Sequence, residues 1–278
     1  MPYFVFTLFF IIGFVFEIVS FQQSSTAKFA AFIRVKDEIK TVIPCLNSID
    51  GLFDKIVIIH SNEPDDGSVK AMNKWCNKRS YCHIYEYPHT VYGSHTANQK
   101  EIKYENSLAS YYNFGLDKFD PEEYVVKIDA DQIYIKPHLK ETLDLIRKKD
   151  KENDFISYGM KGYNTYPYKG KLVKYKSTPK NGGDDSFIIK RKYMENFYNA
   201  TYFEKLKNKK EIKYEIFYYP SHWFHFLKTL KVNGTIRLTD EALPEEIDYL
   251  SKEEKKEFEQ YIRPLLNEAN SPYKNLSL

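Results

Sequence analysis

The stretch EYVVKIDAD, residues 123–131, decides how this chain is read. Apolar residues fill it on both sides of Lys127, the pattern of a strand covered on both faces. It then runs straight into two carboxylates, Asp129 and Asp131. Open α/β sheets place their ligand sites at the carboxyl ends of strands. Two carboxylates at i and i+2 leaving such an end can share one divalent cation and the diphosphate it carries, and hard oxygen ligands suit Mg²⁺ or Mn²⁺. A D-x-D triplet alone is common; the apolar run before it gives this one weight.

Outward from that point, further apolar runs stand at 29–35 (FAAFIRV), 55–59 (KIVII) and 82–87 (CHIYEY). Between them, 39–49 carries Ile39, Val42, Ile43 and Leu46 at helical spacing, and 69–75 and 103–116 read as helices. This alternation predicts an α/β fold with a doubly wound, mostly parallel sheet flanked by helices. Beyond 150 the pattern changes. Residues 159–176 are rich in Gly, Tyr and Lys, 178–185 (TPKNGGDD) form a polar loop, and 186–189 resume as a strand. The Lys-rich 203–213 reads as a solvated surface helix, 245–265 as a charged amphipathic helix, and the last dozen residues as loose. The expected organisation is a hydrophobic segment and linker at 1–27, a catalytic domain at 28–245 and a helical extension at 246–278.

Lys+Arg 41 against Asp+Glu 38 gives +3, too balanced for a protein that grips nucleic acid. Aromatic residues at 17% exclude a disordered chain, and a mean hydropathy of -0.56 excludes a polytopic membrane protein. The first 21 residues nevertheless carry one charge, Glu17. As a helix, 3–21 would measure about 28 Å, near the thickness of a hydrocarbon core. No basic residue precedes Lys28, so a membrane anchor, or a peripheral attachment, is expected ahead of a cleaved leader or a buried helix. The basic flank puts the rest of the chain on the cytoplasmic face of the inner (plasma) membrane. Cys45, Cys76 and Cys82 contain no C-x-x-C pair, which favours unpaired thiols in a reducing compartment, Cys76 and Cys82 being two small buried side chains.

Other candidates border the same crevice. Asp65-Asp66-Gly67-Ser68 follows the second strand, where an acid can meet a ribose or a uracil N–H, or simply make a turn and cap the next helix. Arg34, Lys36, Asp37 and Glu38 stand at the tip of the first strand. The helix with Glu105, Asn106, Tyr112 and Asn113 adds polar groups on a Tyr-rich face. Tyr163, Tyr166 and Tyr168 can stack on sugars or pack as core.

The D-D-G-S turn, NFGL at 113–116 and the D-x-D come in the order of the GT-A nucleotide-sugar glycosyltransferases, which this chain resembles. More narrowly it is similar to the CgtA-type β-1,4-N-acetylgalactosaminyltransferases of bacterial lipooligosaccharide outer core. That likeness rests on AFIRVKDE (31–38), Glu105-Asn106, SYYN (110–113), KIDAD (127–131) and FHFLK (224–228), and spans residues 28–235. It implies a UDP-sugar donor, a divalent metal, inversion at the anomeric carbon, and a lipid-linked oligosaccharide acceptor for N-acetylgalactosamine or a related hexose. By the same resemblance Asp129 and Asp131 hold the metal, with His222 and His225 as late ligands or packed histidines. Arg34, Lys36, Glu38, Asp66, Asn113 and Asp129 would bind the donor. Inversion needs a base, and Asp184 or Asp185 after Gly182-Gly183 would supply it, Asp184 first and Glu215 in reserve. No family motif is carried over onto residues 159–180, where acceptors are chosen. A nucleotidyltransferase would use paired Asp as well, but it wants a Gly-rich, Lys-containing phosphate loop near the first strand, absent here. A non-catalytic glycan-binding module is the other alternative.

Overall fold

The computed structural model describes residues 27–63, 65–92, 102–150, 156–175, 186–199, 204–209, 211–217, 221–227, 229–232, 235–238 and 247–278. Strands β1 (Phe29–Val35), β2 (Lys55–Ser61), β3 (Cys82–Tyr87) and β4 (Tyr124–Asp129) are parallel neighbours in the order β4-β1-β2-β3. Helices α1 (Val42–Ile49) and α2 (Ser68–Cys76) cover one face, and α3 (Leu108–Leu116) covers the other. Gly115 in α3 lies against the Phe32 ring, where a Cβ would collide, so the helix approaches β1 only because that position is bare. The doubly wound expectation holds.

A short strand β5 (Gln132–Tyr134) and helix α4 (Lys136–Lys149) follow, then β6 (Ile156–Met160), β7 (Tyr163–Tyr168) and β8 (Lys171–Tyr175). Strand β9 (Phe187–Lys190) slots antiparallel between β4 and β6. Next come β10 (Met194–Asn199), β11 (Glu204–Asn208), β12 (Lys213–Phe217), β13 (Trp223–Phe226), the hairpin β14 (Thr229–Val232) and β15 (Thr235–Leu238), and β16 (Ile247–Tyr249). The main sheet has seven strands, β12-β6-β9-β4-β1-β2-β3, and a second has five, β16-β8-β7-β13-β5.

Several expectations are corrected here. The described residues of the Lys-rich stretch form no helix: 204–208 pairs antiparallel with β10, and Lys213 opens an edge strand. Its alternating exposure lets lysines project from a strand as readily as from a helix. The C-terminal helix is preceded by β16 and starts at Ser251, whose side chain forms a capping box with Glu254. Helices α5 (Lys252–Glu257) and α6 (Arg263–Glu268), joined by a π-helical stretch at Phe258–Ile262, bury Phe258, Ile262 and Leu266 against Ile133, Phe224 and Phe226. Truncating a buried Phe such as Phe258 costs about 3–5 kcal/mol. The last dozen residues are therefore packed, with Leu276 buried and Ser277 donating its N–H to the Gly170 carbonyl at 2.9 Å. Cys76 and Cys82 are buried as expected, but as a disulfide joining α2 to β3, which removes the thiol argument for a reducing compartment. No described helix is long and apolar enough to cross a membrane, and residues 1–26 lie outside the described set.

Candidate functional site

The carboxyl end of β4 carries the sharpest charge cluster. Asp129 is buried, with Lys127 Nζ 3.3 and 3.2 Å from its two carboxylate oxygens and Arg34 Nε 3.4 Å from Oδ1. Register explains the pairing, because Arg34 of β1 lies opposite Asp129 of β4. Burial acts to raise the Asp129 pKa, but Lys127 and Arg34 outweigh it and hold it at about 2. Both cations also lie over the Tyr112 ring, at 5.5 Å for Arg34 and 5.7 Å for Lys127. The Lys127 side chain is 6% exposed and that of Arg34 36%, so Arg34 is the cation that meets solvent.

Asp131 belongs to a different neighbourhood. Its Oδ1 lies 3.1 Å from His225 Nε2, while His225 Nδ1 lies 3.2 Å from Asn164 Oδ1. The central position of β13 produces this: His225 pairs with Gln132 of β5 on one side and Asn164 of β7 on the other. The Phe226 N–H donates to the Asp131 carbonyl at 2.8 Å. An imidazole fixed through Nδ1 by an oxygen acceptor, with Nε2 turned to a carboxylate, is the arrangement of a metal-ligating histidine. A carboxylate oxygen and an imidazole nitrogen together suit Mn²⁺. Among the described residues no three His, Cys, Asp or Glu side chains converge, and Asp129 is taken up by its two cations. The fit is thus for an ion held by Asp131 and His225, with phosphate and water completing its shell.

His222 is not brought to this group. It is fully buried, with Nε2 2.8 Å from Thr142 Oγ1 and Nδ1 3.1 Å from the Lys161 carbonyl. Burial lowers its pKa to about 4 and keeps the ring neutral, so it is a packed core histidine. Asn113 is not at the crevice either: it bridges α3 to β10, accepting from Phe197 N at 2.7 Å and donating to Phe197 O at 2.9 Å. Glu215 sits on edge strand β12, ion-paired to Lys149 at 2.5 Å. Asp184 and Asp185 lie outside the described residues.

At the tips of β1 and β2 the candidates hold one another. Lys36 Nζ donates to Glu63 at 2.9 Å and to the Val91 carbonyl at 3.2 Å. Asp66 accepts from Ile39 N at 2.9 Å, from Ser68 N at 3.1 Å and from the Ser68 hydroxyl, while Ser68 Oγ accepts from Glu38 N at 2.8 Å. Gly67, at φ 100, makes the turn that only glycine adopts freely, and Asp65 rather than Ser68 satisfies the helix end through Val69 N. The D-D-G-S turn therefore ties the end of β1 to the start of α2, with Asp66 as the knot.

Sequence reasoning gave no role to Lys127, Gln132 or Asn164. Lys127 had a signal: a lone cation inside a strand buried on both faces requires an anion beside it. Gln132 is fully buried, its Oε1 accepting from Asp129 N at 3.2 Å and Tyr134 OH at 3.1 Å.

Comparison with known proteins adds three findings. A family model described as Beta-1,4-N-acetylgalactosaminyltransferase (CgtA) matches residues 13–275. No curated protein matches the chain. Among solved structures, S. aureus TarS 1-349 in complex with UDP is similar at 14% identity and TM-score 0.47, over 72% of this chain and 61% of that one. Glucosyl-3-phosphoglycerate synthase from Mycobacterium tuberculosis, in complex with Mn2+, UDP and glucosyl-3-phosphoglycerate, is similar at 16% identity and TM-score 0.33, over 53% of this chain and 46% of that one. The chain thus spans less than two thirds of the length of either neighbour.

Proposed function

The chain belongs to the CgtA family of β-1,4-N-acetylgalactosaminyltransferases, and from that premise we propose that it is a metal-assisted, inverting glycosyltransferase using a UDP-sugar. The observation that carries the reading is the Asp131–His225 contact of 3.1 Å beside a buried Asp129–Lys127–Arg34 cluster. Asp131 and His225 would hold Mn²⁺ or Mg²⁺, which when bound supplies positive charge to the departing diphosphate. Asp129 keeps Arg34 in place, and the partly exposed guanidinium is suited to phosphate oxygens. Lys127 beneath it leaves the three side chains with net charge +1, so the crevice attracts a diphosphate.

Asp184, with Asp185 second, takes the proton of the acceptor hydroxyl. Supporting this, β9 runs antiparallel to β4, so the chain enters it at the carboxyl end of β4, and Ser186 Oγ lies 3.4 Å from the Lys127 carbonyl. The transferred sugar is N-acetylgalactosamine or a related hexose. The acceptor is a lipid-linked oligosaccharide such as lipooligosaccharide outer core, met at the cytoplasmic face of the inner membrane with residues 1–27 as attachment.

UDP release from a panel of UDP-sugars, with Mn²⁺ and with chelator, tests the reading. Metal-dependent release from a UDP-N-acetylhexosamine is the expected result; release indifferent to metal, or none from any UDP-sugar, overturns it.

A further inference from the structure

We propose that the Cys76–Cys82 disulfide is an exchange site, opened and capped by a small acidic peptide thiol that enters the groove along the outer edge of β3. The inference goes beyond the glycosyltransferase reading and does not depend on it. Strand β3 is the last of the seven-stranded sheet. The groove beside it holds about 750 Å³, and both cysteines line it together with Asn73, Asn77, Lys78 and Ile84. Cys76 and Cys82 are 6% and 9% exposed, so a thiol meets their sulfurs through the groove.

The turn between the two cysteines keeps its shape without the bond. The Arg79 guanidinium donates to both Asp50 carboxylate oxygens at 2.9 and 2.6 Å and to the Trp75 carbonyl at 2.8 Å. It also lies 3.7 Å from the Trp75 ring centroid. The main chain adds two bonds, Arg79 N to the Cys76 carbonyl at 2.8 Å and Cys82 N to the Arg79 carbonyl at 3.1 Å. A crosslink over so short a loop restrains little chain entropy, least where the turn is already braced. With the S–S bond open, the same contacts hold the cysteines side by side, ready to close again.

The lining chooses the thiol. From Gly67 to Tyr85 the sequence holds no Asp or Glu, while Lys70, Lys74 and Lys78 recur at helical spacing, all exposed. Arg79 is taken up by Asp50; Lys78 makes no ion pair among the described residues. A lysine beside a disulfide draws an anionic thiol and steadies the departing thiolate. The main chain offers a second contact. The Tyr81 and Tyr87 carbonyls accept from Ile56 N and Asn62 N, so the alternate residue Ile84 turns its N–H and C=O away from β2, into the groove. A peptide amide pairs with Ile84, a carboxylate meets Lys78, and the thiol reaches the disulfide.

The step is an ordinary exchange. A thiolate RS⁻ attacks one sulfur, the Cys76–Cys82 bond breaks, an R–S–S–Cys bond forms, and the other cysteine leaves as a thiolate that takes a proton from water. A second RS⁻ then displaces the remaining cysteine and leaves as RSSR, so two small thiols supply the two electrons.

The test uses the full oxidised chain with glutathione as the acidic peptide thiol and cysteamine as a cationic one, opening being read by acid quench and intact mass. The third cysteine does not confuse the count: Cys45 is fully buried, and burial pushes its thiol pKa up. The same two rates in urea supply the chemical baseline. Relative to that baseline, glutathione should open the native disulfide about fivefold faster than cysteamine does, adding one glutathione per chain with circular dichroism unchanged. Lys78→Gln, an exposed position, should return the ratio to the baseline. After the thiol is removed the parent should re-close, and Arg79→Gln about tenfold more slowly, since the turn loses its brace. A native disulfide that stays closed while the unfolded chain opens, a native ratio equal to the baseline, or loss of the fold on opening overturns the proposal.

Discussion

Asp129 and Asp131 stand two positions apart, yet they belong to different halves of the molecule. Asp129 closes a strand of the seven-stranded sheet and is locked in a buried cluster with Lys127 and Arg34. Asp131 precedes β5 of the five-stranded sheet and touches His225 across to β13. One carboxylate is compensated by side chains from its own sheet; the other faces an imidazole that can exchange its partner for a cation. The D-x-D is a seam: its first acid is locked in the buried cluster, and its second is the one to which the proposed function gives the chemistry.

Substituting each acid separates these roles. Asp131→Asn should cost the largest effect, about a thousandfold or more in kcat, since charge stabilisation of this kind contributes several kcal/mol. Its unfolding midpoint should stay near the parent's, and retained turnover would dissolve the distinction. Asp129→Asn should instead destabilise by about 3 kcal/mol, because Lys127 is left as a buried cation without its anion; urea denaturation reads this.

The same contrast appears in pH dependence. Lys127 and Arg34 hold the folded pKa of Asp129 at about 2, below the ordinary carboxylate value of 3.8. A depressed carboxylate adds stability that is fully present above its unfolded pKa and lost as pH falls through its folded one. The parent should therefore lose about 2 kcal/mol between pH 4 and 2, a loss that Asp129→Asn no longer shows.

Smaller effects lie further from the seam. Reducing Cys76–Cys82, or Cys82→Ser, should lower stability by about 2 kcal/mol for so short a loop, with kcat little changed. His222→Gln should cost about 1–2 kcal/mol of stability through its two buried hydrogen bonds and leave metal affinity unchanged. Loss of metal binding in His222→Gln but not in His225→Gln would invert the assignment of the two histidines.

The two sheets also differ in how plainly the sequence announces them. Strands β1, β2 and β4 are covered on both faces and leave unbroken apolar runs, so the parallel sheet and the D-x-D at its edge are readable directly. The second sheet is built from short strands such as QIY, WFHF and IDY, whose aromatic and polar residues carry no clear period. Nothing local separates His222 from His225; the register of β13 against β5 and β7 decides which one reaches Asp131. Asp66 reads equally well as ligand or turn residue until the Ile39 and Ser68 donors are seen on it. The disulfide was hidden for a related reason, since a sequence separation of six says nothing about whether a helix end and a strand start will meet.

The bond from Ser271 to the Lys40 carbonyl spans 231 positions. A ribosome delivers β1, α1 and the D-x-D long before it delivers the turn that closes over them. The nascent chain can form its parallel strands early, while the Phe226–Tyr273 stack waits until residues 271–277 have been made. A stop codon before Ser271 would therefore leave the parallel sheet in place without the ring that packs on Phe226 and without the Ser271 bond to Lys40.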